Sequence, residues 1–191
     1  MTTNWTIGVD EAGRGPLAGP VSVGVCAVPD GFDMSLFTGI RDSKTLSEKK
    51  RDEWYTKITK ETVLRWSVVL ISAEYIDREG IVPAIRAGLT RALQKVTCAP
   101  EDSVVLLDGG LHAPEEYGNQ KTIIRGDASE PLISAAAILA KVTRDHYMLE
   151  QAHKYPEYGF ERHKGYGTKQ HREAIVQHGM SKLHRKTFCH L

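Results

Sequence analysis

Four acids in this 191-residue chain stand where carboxylates distant in sequence could meet. Asp10 and Glu11 close a β-rich run that starts at Trp5, Asp108 closes the apolar run Ser103 to Leu107, and Asp127 follows the run Lys121 to Arg125. In an α/β sheet ligands bind at the carboxyl ends of the strands, so acids at strand ends can face one site. Two carboxylates about 4 Å apart repel by roughly 4 kcal/mol at an effective dielectric of 20, and four multiply that cost unless a cation sits among them. A donor set of oxygens without histidine suits Mg2+ or Mn2+ rather than Zn2+. Ions of that kind serve phosphoryl transfer. Singly, each acid also has an ordinary reading. Asp10-Glu11 could be a polar turn, Asp108-Gly109 a hairpin-type turn, and Asp127 a helix-entry residue near Ser129.

A sheet has to carry these acids. Trp5 to Asp10 and Pro20 to Val28 are rich in β-branched residues and are separated by the glycine-rich segment Gly13 to Gly19, which predicts neighbouring strands; Arg65 to Ile71 reads as a third. Ser47 to Glu61 is polar and lysine-rich, with Ser47 placed to cap a surface helix. Ile85, Leu89, Leu93 and Val96 recur at helical spacing and predict a helix over Val82 to Val96 whose apolar side covers the sheet. The longest helix should run from about Pro131 to His153, where Ala135, Ala136, Ala137 and Ala140 let it lie close to the strands. This order predicts an α/β protein with a mixed sheet.

Composition bounds the rest. With 41% hydrophobic and 26% charged residues the chain has a globular balance, and the expectation is a single domain over 1–191. Cys26, Cys98 and Cys189 lie far apart without a CxxC pair, which argues against a disulfide framework or a cysteine zinc site and for a reducing cytoplasm. No apolar run approaches membrane-spanning length, so no membrane association is expected. From Arg162 onward seven Lys and Arg against the single acid Glu173 give +6; with +1 for the whole chain, the preceding 161 residues carry −5. A basic segment on an acidic body is what a polyanion would favour, a solvated basic face being the plain alternative. His171, His178, His184 and His190 add to that segment at lower pH. The eight histidines lack the paired spacing of a zinc site, and most read as surface or duplex-facing residues. A monomer is expected, since there is no sustained heptad.

The residues around the acids narrow the choice. Ile7 to Val21 reads IGVDEAGRGPLAGPV, and it is followed in order by DSK at Asp42 to Lys44, LLDGG at Leu106 to Gly110, GD at Gly126-Asp127, AAAILAKVTRD at Ala135 to Asp145 and HKGYGT at His163 to Thr168. In this ordered set the sequence resembles the ribonuclease HII family, the type 2 ribonucleases H, over nearly its whole length. The resemblance implies an RNase H-like fold: a mixed five-stranded sheet flanked by helices, with a short helical basic segment at about 162–191. It also implies an endonuclease that hydrolyses the RNA strand of RNA/DNA hybrids and incises 5′ of single ribonucleotides embedded in duplex DNA, leaving 5′-phosphate and 3′-hydroxyl ends, in replication and repair. Asp10, Glu11, Asp108 and Asp127 would be the metal ligands, with Asp10 shared by two Mn2+ or Mg2+ ions, one activating water and the other stabilising the departing 3′ oxygen.

Further roles come from the same resemblance. The backbone of Gly13, Arg14 and Gly15 would read the ribose 2′-hydroxyl, the group that marks a ribonucleotide in DNA. Without the family these glycines suggest a dinucleotide-binding loop, but Pro20 and a second strand follow where that motif requires a helix. Tyr166 resembles a tyrosine that packs on the sugar at the RNA-to-DNA junction; an ordinary loop tyrosine is the plain reading. Ser43, Lys44, Lys141 and Arg144 are expected as substrate contacts, through phosphate or by scaffolding; Lys141 and Arg144, three apart, share a helix face that could instead be merely solvated. The chain departs from the family pattern at Ser129-Glu130, where a lysine-serine pair is expected, and at Ala135-Ala136-Ala137-Ile138, where AAAS is expected. Two rivals remain: another carboxylate-cluster nuclease of the same fold, and a non-catalytic hybrid-binding protein.

Overall fold

The computed structural model describes residues 4–40 and 46–190, so that Ser43 and Lys44 lie outside the described residues. Strands β1 (Trp5–Ala12), β2 (Val21–Pro29), β3 (Arg65–Ile71), β4 (Ser103–Asp108) and β5 (Gln120–Ile123) form one sheet in the order β3-β2-β1-β4-β5. The first three run antiparallel to their neighbours, and β1, β4 and β5 are parallel. The mixed five-stranded sheet is thus as expected. Helices α1 (Glu48–Lys60), α2 (Ala73–Glu79), α3 (Ile81–Val96), α4 (Gly126–Ser129), α5 (Pro131–Lys154), α6 (Phe160–His163) and α7 (Lys169–His178) surround it. Ser47 does cap α1, accepting from the Lys50 N–H at 3.2 Å.

Period-two alternation divides the strands between two cores. Ile7, Val9, Val23, Val25, Val69 and Ile71 pack with Ile85, Leu89 and Leu93 of α3. On the opposite face Cys26 and Val28 meet Leu132, Ala136 and Leu139 of α5, together with Trp54 and Ile58 of α1. Helix α5 rests almost on the strand backbone: a Cβ at Gly8 would stand 2.3 Å from the Leu132 carbonyl oxygen, and one at Gly24 2.3 Å from that of Ala136. The alanine-rich stripe allows this approach, and the approach fixes where the next turns of α5 emerge beside the strand ends.

The C-terminal segment forms a third cluster. Leu17 and Ala18 pack with Met148, Phe160 and Ile175, and Ala18 forms an isolated antiparallel bridge with His184. Helix α2 was absent from the sequence reading because seven residues are too few to show a helical period. Among the described residues no helix is long and apolar enough to cross a membrane.

Candidate active site

The parallel register sets the first two acids side by side. Gly8 pairs with Leu106 and Val9 with Leu107, so Asp10 and Asp108 follow at one level with the same parity, on the face that carries α5. β1 continues to Ala12, which places Asp10 and Glu11 within the strand rather than beyond it. Asp127 enters from a sharp bend: Arg125 has φ +55°, in the left-handed region, and α4 starts at the next residue. The Asp127 N–H donates to Asp108 Oδ1 at 3.3 Å, and the buried Ser134 hydroxyl donates to the Asp127 carbonyl at 2.6 Å. Side chains of α5 therefore hold the Asp127 turn against the end of β4.

The electrostatics follow from this crowding. Burial, then the charges of Glu11 and Asp108 and, more weakly, Asp127, push the Asp10 carboxyl well above the usual carboxylate range, with the Glu11 N–H at 2.7 Å opposing them. Glu11 turns to Arg14, whose Nη1 lies 2.9 Å from Oε1. A cleft of about 500 Å3 is lined by Asp10, Glu11, Asp108, the backbone stretch from Ala12 to Gly15, Lys141 and Tyr166. Asp127 sits behind that lining, 4% exposed. The structure thus brings together Asp10, Glu11, Asp108, Gly13, Arg14, Gly15, Lys141 and Tyr166, with Asp127 adjoining. Lys141 Nζ is 2.8 Å from Asp145 Oδ1 and 5.7 Å from the centre of the Tyr166 ring.

Arg144 meets only one of its two expected roles. It is fully buried, donating from Nε to the Pro20 carbonyl at 2.9 Å and from Nη2 to the Ala18 carbonyl at 3.1 Å. A guanidinium so enclosed cannot reach a duplex from where it stands, so direct substrate contact is set aside for Arg144 and the scaffold role, the other one expected of it, is kept. His163, His171 and His184 are buried as well, whereas the other five histidines are exposed, as expected. Two cleft residues were not singled out from the sequence: Arg51 from α1 and Ala137 from α5 both line it. Ala137 fell within the noted AAAS departure, whereas nothing in a lysine-rich surface helix marked Arg51.

The donor set suits a hard divalent cation. It consists of carboxylate oxygens, and the crowding that penalises ionised Asp10 is what a cation relieves. Among the described residues no three His, Cys, Asp or Glu side chains already close into a metal-holding cage, as the turn of Glu11 onto Arg14 illustrates.

A five-stranded sheet of this order, with helices on both faces, is the RNase H-like fold. The chain is similar to that in the structure of the PCNA:RNase HII complex from Archaeoglobus fulgidus, with TM-score 0.76 and 26% identity, covering 95% of this chain and 93% of that one. Similarity to the ribonuclease H2 from Pyrococcus horikoshii OT3 gives TM-score 0.74 and 25% identity, over 96% and 93% of the two chains. In sequence, the family model described as Ribonuclease HII matches residues 7–191. The Ribonuclease HII of Endomicrobium trichonymphae is 48% identical over 95% of this chain and 83% of its own length, and that of Bacillus mycoides (strain KBAB4) 46% identical over 95% and 68%. The chain belongs to the ribonuclease HII family, metal-dependent endoribonucleases that act on RNA joined to or paired with DNA.

Proposed function

We propose that the cleft at the ends of β1 and β4 is the catalytic centre, that Asp10, Glu11, Asp108 and Asp127 hold Mn2+ or Mg2+, and that the substrates are RNA/DNA hybrids and duplex DNA carrying single ribonucleotides. The observation that carries the reading is the crowding of the other three carboxylates around buried Asp10 in a cleft that also holds Gly13 to Gly15, Lys141 and Tyr166. Bound divalent ions supply an acidified water and a counter-charge for the departing oxygen. The chain's own residues position. Asp10 and Asp108 project at one level, the Asp127 turn is pinned to Asp108, and the exposed Gly15 backbone leaves room for a sugar to approach. Lys141 offers a half-exposed ammonium to a phosphate, and the exposed Tyr166 ring offers an apolar face to a sugar. A monomer acting in the cytoplasm, with 1–191 as one catalytic unit, completes the proposal.

The test is cleavage of a labelled DNA duplex containing one ribonucleotide, with Mg2+, Mn2+ or EDTA, by the native chain and by Asp10→Asn. Incision on the 5′ side that needs the metal and is lost in the variant is expected. Cutting of long RNA/DNA hybrids alone would narrow the substrate class, and no cutting of either duplex with any metal would overturn the proposal.

A further inference from the structure

The loop bearing Gly13, Arg14 and Gly15 is held from behind by two arginines that the cleft does not expose. Arg185, fully buried, donates from Nη2 to the Gly13 carbonyl at 2.7 Å, from Nη1 to the Arg14 carbonyl at 2.9 Å and from Nε to the Gly19 carbonyl at 2.9 Å. Arg144 holds the Ala18 and Pro20 carbonyls of the same loop. Gly13 is confined between them, with φ +90° and space for no side chain, since a Cβ there would stand 2.2 Å from Arg144 Nε.

The geometry of the trans peptide turns this anchoring into a display. The Gly13 carbonyl shares a peptide plane with the Arg14 N–H, and the Arg14 carbonyl with the Gly15 N–H; in each plane the two groups point in opposite directions. Drawing both carbonyls onto one guanidinium therefore turns both N–H groups away from it. Among the described residues neither N–H donates to a protein acceptor, both residues are exposed, both line the cleft, and a Cβ at Gly15 would meet nothing within 4 Å.

We infer that Arg185 is a positioning residue for ribose recognition: by fixing the Gly13 and Arg14 carbonyls it presents the Arg14 and Gly15 N–H groups as a preformed pair of donors to a sugar hydroxyl. The inference rests on the proposal that this loop meets the ribonucleotide. A deoxyribose lacks the acceptor, so a fixed pair separates the two sugars where a mobile loop would first have to be ordered. Three donors in a rigid fork are what three carbonyls require, and a lysine cannot reproduce that fork. The anchor is itself anchored: the Arg185 N–H donates to the Leu17 carbonyl at 2.7 Å, and the next two N–H groups, of Lys186 and Thr187, donate to Asp77 of α2 at 2.8 and 3.0 Å. Burial, with the Arg144 charge second, pushes Arg185 down to about 9. A charge held at that cost is consistent with a demand for this geometry.

The experiment measures binding of two duplexes, identical except for one ribonucleotide, to Asp10→Asn and to Asp10→Asn with Arg185→Lys, by fluorescence anisotropy. The expected result is a preference for the ribonucleotide duplex in the first chain that falls by about tenfold in the second, equivalent to about 1.4 kcal/mol, while the all-deoxy duplex binds both alike. An undiminished preference in a folded Arg185→Lys chain would overturn the role of Arg185 and leave the loop proposal standing. Absence of any preference in Asp10→Asn with Arg185 intact would overturn the loop proposal itself. Should Arg185→Lys fail to melt cooperatively, amide exchange in the Asp10→Asn chain decides. Arg14 and Gly15 should exchange freely alone and be protected by the ribonucleotide duplex only; protection in the free protein would sink the inference.

Discussion

Asp10 in the cleft and Arg185 behind it are both buried ions with a like charge nearby, yet their surroundings treat them differently. Asp10 accepts one N–H, from Glu11, and shares its space with three other acids, whereas Arg185 spends its guanidinium on three backbone carbonyls. Burying a charge is expensive unless it is paired or hydrogen-bonded. The arginine is answered within the fold and behaves as scaffold. The acids are answered only in part, and such a site gains most from a cation brought from outside.

Neutralising Asp10 tests the first half of that contrast and should have the largest effect. Asp10→Asn is expected to lower the cleavage rate by about 10³-fold or more, roughly 4 kcal/mol of transition-state stabilisation. In EDTA the same change should raise the melting temperature, by about 2–4 °C for each kcal/mol of repulsion removed in a chain of this size. A variant that lost rate and stability together would mark Asp10 as an ordinary structural residue and erase the difference between the regions. On the arginine side the sign reverses. Arg185→Met leaves three carbonyls without their donor, at about 1–3 kcal/mol each where they stay dry, and should destabilise the fold by several kcal/mol in urea. Arg144→Met orphans two, and the Nη1 it removes makes no hydrogen bond, only a 4.0 Å ion pair with Asp145, so its loss should be smaller. Equal losses would show that the two guanidiniums are not graded by their hydrogen bonds.

The two regions also respond to pH in opposite senses. Burial pushes His171, stacked on His163 and 3.1 Å from His184, down to about 4 from a usual 6.5. A base with a depressed value contributes stability that is complete above about 6.5 and is lost as pH falls toward about 4. The unfolding free energy should drop by about 2 kcal/mol between pH 7 and pH 5 through this group, and His171→Gln should flatten that slope. Asp10, raised rather than lowered, works the other way: its contribution is complete below the unfolded carboxylate value and is lost as pH rises through the folded one. If Asp10→Asn flattened the acid limb while His171→Gln did not, the assignment of the two limbs would be wrong.

How legible each region was in the sequence follows from the range of the forces that shape it. The cleft acids sit at the ends of runs with period-two or continuous apolar character, so Asp10, Glu11 and Asp108 could be placed from local pattern, and the alanine stripe of α5 told of its close approach. The turn at Asp127 was less visible, since β5 is short and polar, ends at Ile123, and gives way to the left-handed Arg125. Behind the cleft local pattern failed. Lysine and arginine are normally solvated, and the carbonyls that take Arg185 into the interior belong to residues 166 to 172 positions away. No window along the chain contains both partners. The +6 of the last 30 residues therefore overstates the surface available to a polyanion, since Arg185 belongs to the interior while Arg162, Lys169, Arg172, Lys182 and Lys186 remain exposed.

Lys141 lies between the two regions and should give the smallest effect. Its ammonium is 30% exposed and pairs with Asp145, itself 9% exposed, one helical turn further on. The pair is open to solvent only on the lysine side, and Asp145 keeps the Arg144 Nη1 at 4.0 Å when the lysine is removed, so Lys141→Ala should lower the melting temperature only slightly. A phosphate carries no record of which sugar it joins, so the change should weaken the ribonucleotide duplex and the all-deoxy duplex alike. The slope of log affinity against log salt should become shallower by about 0.9, the share of one phosphate contact. An unaltered slope would assign Lys141 to Asp145 alone and move it into the answered class with Arg185. A loss confined to the ribonucleotide duplex would instead place it with the sugar-reading loop, 5.7 Å from the Tyr166 ring.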